Sequence, residues 1–290
     1  QIMKRKLMAI VAAVLSAITV FAFAGCANGS KNILVVCREA ASGTREAFDK
    51  YAGLTADELT SDKEEYSSTG NVREKVANTQ TAIGYISLAS VDDSVKALKV
   101  EGVEATEENV REGKYKIQRP FLLLTNKSVT LTPAAKDFFD YAISKTAEAA
   151  IIKEKGITTA DFDTRKDYVV PADAISGTVI LKGSTSMEDM IKYLVAEYKK
   201  LGGDKVSAVQ FTFDFPGSSG GRTAAKEDTT GNVIGLASSA KADAAYTETT
   251  LCLDAVAVIV NKNNDKISDV NAQTLKDIYT GKIKKFEDIK

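Results

Sequence analysis

The chain of 290 residues contains no histidine. That absence excludes Ser-His-Asp and Cys-His catalysis and removes most zinc sites. Cysteine is nearly as scarce: Cys26, Cys37 and Cys252 are the only three, and their spacing matches no metal-ligand pattern. Cys37 and Cys252 lie in apolar, strand-like runs, so they read as buried small hydrophobes, with a disulfide as the alternative in an oxidising compartment. After Phe23 no apolar run is long enough to span a bilayer. Positive charge is not in excess either, with 38 Lys and Arg against 39 Asp and Glu. The chain therefore lacks the bulk field that collects nucleic acid. An anion held by this protein must be held by local dipoles and individual donors.

What is present begins with a secretory signal. Met3-Lys4-Arg5-Lys6 is a basic start, Leu7 to Phe23 is apolar, and Ala24-Gly25-Cys26 follows. Residues 1–25 read as a cleaved signal peptide whose end resembles a bacterial lipobox, with Phe23 where leucine is usual. Cys26 is then the expected lipidation site, and residues 26–30 a short tether to the membrane. A plain signal peptide and an uncleaved anchor are the alternatives. Cleavage removes three basic residues and leaves 35 against 39 acids.

Strand and helix patterns alternate through the rest, which predicts an α/β protein with mostly parallel sheets. Strands are expected at Ile33–Cys37, Thr81–Ile86, Pro120–Thr125, Val179–Leu181, Val206–Phe213, Val233–Ala237 and Leu251–Val260. Helices are expected at Thr44–Tyr51, Val72–Thr79, Thr106–Gly113 and Met187–Leu201, and a short one at Thr274–Tyr279. Pro133 at a first turn opens a long amphipathic helix that Gly156 ends. Thr185-Ser186-Met187-Glu188 fits a capping box. Residues 158–174 are polar and read as a connection rather than core.

Four turns end strands and carry hydrogen-bond donors. They are Arg38 to Thr44, Gly183 to Ser186, Gly217 to Gly221 and Gly235 to Ser239. Small side chains leave backbone N–H groups exposed, hydroxyls add donors, and a helix start adds partial positive charge. Each turn alone is ordinary turn chemistry. Together they point to an oxyanion cradle, because ligands of open α/β sheets sit at the carboxyl ends of strands. Arg38, four residues before Ser42, is placed to grip an oxyanion with its guanidinium.

The same stretches resemble the phosphate-binding lipoproteins of bacterial phosphate ABC importers, the PstS-like branch of the type II periplasmic-binding-protein family. The resemblance rests on Val35 to Phe48 with its Arg-x-x-x-Ser-Gly-Thr turn, and on Ala82-Ile83-Gly84-Tyr85. It continues through Gly183 to Met187, Gly217-Ser218-Ser219-Gly220-Gly221, Asp254 to Asn261 and Leu275 to Ile283. The order differs from the family's, in which the Gly-Ser-Thr-Ser block precedes the Arg-x-x-x-Ser-Gly-Thr block. The chain therefore reads as circularly permuted, with the old termini joined through residues 158–174.

The resemblance implies a two-lobed α/β fold, each lobe a mostly parallel sheet flanked by helices. It implies a lobe split between residues 31–91 and 262–290, a continuous lobe at 92–261, and crossings near Val91 and Asn261. It also implies an extracytoplasmic solute-binding lipoprotein that captures inorganic phosphate for an ABC permease and is not an enzyme. The phosphate ligands carried over are Arg38, Ser42, Gly43 and Thr44 from one lobe and Thr185, Ser186, Ser218 and Ser238 from the other. No cofactor, metal or nucleic acid is implied, and a monomer is expected. Where Ser238 stands, some family members have aspartate, which repels sulfate. Another tetrahedral oxyanion, sulfate or molybdate, is thus the nearest alternative. A serine-based phosphoester or acyl-transfer hydrolase is the alternative from another class.

Overall fold

The computed structural model describes residues 32–289. The expected signal peptide, Cys26 and the tether lie outside the described residues. In chain order the main elements are β1 (Leu34–Arg38), α1 (Gly43–Ala52), β2 (Glu64–Tyr66), α2 (Thr69–Asn78) and β3 (Ala82–Ser87). There follow β4 (Val95–Ala97), β5 (Lys99–Val100), α3 (Glu107–Arg111), β6 (Gln118–Asn126), α4 (Pro133–Ala142) and α5 (Glu148–Lys153). The next are β7 (Gly177–Gly183), α6 (Glu188–Gly202), β8 (Val209–Asp214), α7 (Ser218–Glu227) and β9 (Val233–Ala237). The last are β10 (Tyr246–Asn261), β11 (Asp269–Val270) and α8 (Ala272–Tyr279).

One sheet runs through the molecule in the order β2-β1-β3-β10-β6-β9-β7-β8, with β4 also on β10. Two parallel trios, β2-β1-β3 and β8-β7-β9, lie at its ends. Between them β10 and β6 form a long antiparallel ladder that joins the two. The sheet is thus mixed at its centre and parallel where helices cross back, because parallel strands need crossovers and antiparallel ones do not.

Packing divides along that ladder. One cluster gathers Val35, Phe48, Tyr85, Tyr115, Val258, Leu275 and Tyr279 under α1 and α8. Phe48 stacks on Tyr85 with ring centroids 4.0 Å apart. The other gathers Phe121, Phe138, Tyr141, Val179, Leu194, Tyr198 and Leu236 under α4 and α6. The stripe Met190, Ile191, Leu194, Tyr198 is buried in it, as the 3.6-residue period requires. Cys37 and Cys252 fall in different clusters, buried and unbridged. Burial raises both thiol pKa values, that of Cys37 to about 12.

Four expectations need correction. The lobe boundaries do not sit near Val91 and Asn261. Leu98, Val100, Val110, Tyr115 and Ile117 pack with the β1 cluster, and so do Ala255, Val256, Val258 and Val260. By these clusters, one core draws on residues 33–117, on Ile157 and on 255–289, the other on 121–252, and β6 and β10 run between them. The helix from Pro133 ends at Ala142, and a 3-10 turn at Lys145–Ala147 precedes the separate α5. The stretch at 158–174 is not all connection, since Phe162 is 1 % exposed in the second core. No capping box forms at Thr185: Ser184 accepts from the Ser186 N–H, and Thr185–Met187 is a 3-10 turn before α6.

Candidate functional site

The four donor-bearing turns meet at one place, between the lobes. Each follows a strand of a parallel trio: β1, β7, β8 or β9. Within a trio, parallel strands carry their carboxyl ends to one edge. Three antiparallel steps separate the trios, so β1 runs opposite to β7, β8 and β9 and its turn faces theirs.

The first turn is shaped by its helix. Ser42 has extended backbone angles and its Oγ accepts from the N–H groups of Thr44 and Arg45. This N-cap fixes where α1 starts and directs its N-terminal end toward the opposite lobe. Gly43 comes next because nothing larger fits. A Cβ built there would lie 2.5 Å from Ser218 Oγ and 2.7 Å from Ser238 Oγ. The opposite turn is set by Gly183, whose φ of +148° and approach to the Leu236 carbonyl exclude a side chain.

Arg38 is 1 % exposed at the end of β1. Its Nε and Nη2 donate to the two Glu39 carboxylate oxygens, each at 2.9 Å. Nη1 donates to Thr69 Oγ1 at 3.0 Å and Nη2 to Thr185 Oγ1 at 3.0 Å. Thr44 Oγ1 lies 2.9 Å from Ser186 Oγ, and Thr69 Oγ1 lies 3.2 Å from the same oxygen. Ser238 Oγ accepts from Ser184 Oγ at 2.9 Å and lies 3.2 Å from Ser218 Oγ. The Ser238 N–H donates to Ser218 Oγ at 3.0 Å. All eight residues expected from the sequence therefore line one cluster. Ser42 takes part through its cap, while Thr44, Thr185, Ser186, Ser218 and Ser238 bring hydroxyls.

Three participants were not legible beforehand. Thr69, first residue of α2, bridges Arg38 to Thr185 and Ser186. Arg119 on β6 is 3 % exposed and donates to Ser238 Oγ at 3.1 Å and Ser186 Oγ at 3.2 Å. Behind it, Asp254 on β10 accepts from Arg119 Nε and Nη2 at 3.0 and 2.9 Å, and from Ser87 Oγ at 2.9 Å. Burial pushes the Asp254 carboxyl up and the Arg119 guanidinium down, and the pairing opposes both shifts. The one sequence signal was a charge set inside an apolar strand, which demands a buried partner.

Away from the hydroxyls, a second bridge closes the lobes. Arg222 of α7 donates to both Glu46 carboxylate oxygens of α1 at 3.1 Å, and Ser239 Oγ bonds the same carboxylate. Arg45 turns to Asp49 and Glu65. Among the described residues no group of three or more His, Cys, Asp or Glu is arranged to hold a metal. No helix among them is long and apolar enough to cross a membrane.

Guanidinium donors, hydroxyls and helix starts of two lobes converging on one point make a cleft that suits a small oxyanion, the arrangement of a two-lobed solute receptor. The comparisons agree. The family model described as PBP superfamily domain matches residues 13–146 and 169–288. The phosphate-binding protein PstS 2 of Streptococcus agalactiae serotype V is 32% identical, over 99% of each chain. PstS 2 of Streptococcus pneumoniae serotype 4 is 33% identical, over 91% of this chain and 89% of its own. A crystal structure of a phosphate-binding protein of a Streptococcus pneumoniae phosphate ABC transporter shares 32% identity. It covers 89% of this chain and all of its own, with a TM-score of 0.68. The chain belongs to the PBP superfamily, in the family of the PstS phosphate-binding proteins.

Proposed function

We propose that the protein captures inorganic phosphate between its two lobes and presents it to an ABC importer. The observation that carries this reading is the meeting of Arg38 and Thr44 with Thr185 and Ser186 across the cleft, at 3.0 and 2.9 Å. Arg38, Ser42, Gly43, Thr44, Thr185, Ser186, Ser218 and Ser238 form the phosphate shell. Their donors replace the water that a buried anion loses. β6 and β10 act as the hinge about which the lobes open and close.

No bond is made or broken in this reading. Ser42, Ser186 and Ser238 have backbone N–H groups, hydroxyls and arginine as their described partners. Such groups do not take a proton from serine near neutral pH. The signal peptide and the Cys26 lipid place the protein on the outer face of a membrane, beside its permease, as a monomer. The order of the blocks is a circular permutation. The Ile33 N–H donates to the Lys284 carbonyl at 2.7 Å, so the chain entering β1 lies beside the segment that follows α8.

Titration calorimetry with phosphate, sulfate and molybdate tests the function. Phosphate is expected to bind most tightly and to raise the thermal midpoint, since a ligand of the folded state alone must do so. A midpoint indifferent to phosphate but raised by sulfate would move the assignment to the other oxyanion. Turnover of a chromogenic ester would move it to a hydrolase.

A further inference from the structure

Arg119 reaches the cleft from neither pair of facing turns. It stands on β6, one of the two strands that join the lobes, directly opposite Asp254 in the β6–β10 ladder. The pair is nearly inaccessible, with side chains 2 % and 1 % exposed. A guanidinium so placed is costly unless all its N–H groups have partners. Asp254 takes Nε and part of Nη2, and is itself steadied by Ser87 from the end of β3. The remaining donors go forward to Ser238 and Ser186.

Those two contacts have a directional consequence. Arginine only donates, so Ser238 Oγ and Ser186 Oγ must accept from it. Ser238 Oγ accepts from Ser184 Oγ as well. Its own proton is thereby turned away from Arg119, toward Ser218 and the cleft. Ser186 is oriented in the same sense, toward Thr44 and Thr69. A buried cation behind the hydroxyls thus biases them to donate forward, and bonds polarised in series strengthen one another. Asp254 and Glu39 are each engaged by an arginine, so the carboxylates at the cleft serve to hold cations.

We propose that Arg119 is a second guanidinium ligand of the bound oxyanion, alongside Arg38, and that Asp254 is the positioning residue that aims it. The inference rests on the phosphate reading above and deepens it. One cation comes from a turn and the other from the hinge, so the anion is in contact with the strands that must flex for it to enter.

The test is calorimetry with phosphate and, in parallel, sulfate, on wild type and four variants: Arg119→Lys, Arg119→Gln, Asp254→Asn and the double Arg119→Gln/Asp254→Asn. Each is also melted in anion-free buffer. Arg119→Lys keeps the charge beside Asp254 but loses the fork, and the double removes the pair without stranding a buried charge. Both are expected to bind phosphate at least tenfold more weakly. Asp254→Asn is expected to weaken binding alone, yet to add nothing in the Arg119→Gln background, a pattern that a merely structural role would not produce. A variant at Arg119 that melts like wild type and binds phosphate within twofold of it overturns the proposal. If these variants do not fold, arginine side-chain nitrogen spectra of the wild-type protein decide. Movement of the Arg119 Nε signal with phosphate supports the assignment, and a signal that stays in place overturns it. Wild-type protein that ignores phosphate but binds sulfate through Arg119 would sink the phosphate reading and keep this one. Phosphate binding that is independent of Arg119 would do the reverse.

Discussion

The turn after β1 and the turn after β7 face each other but are built differently. The first carries charge, and most of that charge's partners lie close by: Arg38 is held by Glu39 and Thr69. Its helix starts with a side-chain cap and runs ten residues. The second turn has no charge between Gly183 and Met187, and opens through a 3-10 turn capped by Ser184. Its hydroxyls at Thr185 and Ser186 reach partners across the cleft, and Ser186 Oγ also accepts from Arg119 on β6. One side is therefore a charged grip held by its own neighbours, and the other is a set of neutral hydroxyls. Preorganised charge limits the entropy lost on binding, while neutral hydroxyls can meet either a bare or a protonated anion oxygen.

The largest effect is expected where the two turns touch. Gly43→Ala puts a methyl group within 3 Å of three hydroxyls of the other lobe. Phosphate binding should fall by about a hundredfold or more, roughly 3 kcal/mol, while the anion-free melting midpoint stays near wild type. Retained binding would show that the lobes need not close this far. Next comes the charged side. Arg38→Ala should weaken phosphate binding at least tenfold, about 1.4 kcal/mol, and an unchanged isotherm would remove Arg38 from the shell. The neutral side should matter less per residue. Ser186→Ala removes one neutral hydroxyl and should cost about 1 kcal/mol, read in the same titration. If it costs more than Arg38→Ala, the division of labour is inverted.

The last expectation concerns stability and sharpens the charged side only. Burial raises the Asp49 carboxyl to about 6 despite the Arg45 guanidinium beside it. Its Oδ1 is buried with no hydrogen-bond partner among the described residues. A folded pKa above the unfolded one favours the protonated form, so the contribution is full below the unfolded value of 3.8 and is lost as pH rises through about 6. Asp49→Asn should therefore gain on wild type between pH 4 and pH 7, by about 1–3 kcal/mol. Denaturant midpoints at the two pH values measure it, and a pH-independent difference contradicts it. Phosphate affinity should hardly change, because Asp49 does not reach the hydroxyl cluster.

The legibility of this molecule follows the range of its interactions. β1, the Ser42 cap and α1 could be read from Leu34 to Ala52 because apolar alternation, a hydroxyl cap and a helix period act within a few residues. The same held for β7, α6 and β9. The capping box at Thr185 failed for a tertiary reason: its hydroxyl is taken by Arg38 and Thr69 from the other lobe. The long helix from Pro133 failed because Ile143 and Ser144 break it where the chain turns to pack α5 on α6. Arg119 and Asp254 are 135 positions apart, and no local pattern pairs them.

The amino-acid sequence by itself determined the units of this protein: strands that end in donor-rich turns, helices that open from them, and the glycines that let backbone approach backbone. These are short-range matters of sterics and hydrogen bonding. Only the tertiary structure decided that the β6–β10 ladder would run between the two cores and seat Arg119 opposite Asp254. Sheet order joins segments remote in sequence through backbone hydrogen bonds that are alike at every position, so it is chosen by the packing of whole faces rather than by any local word.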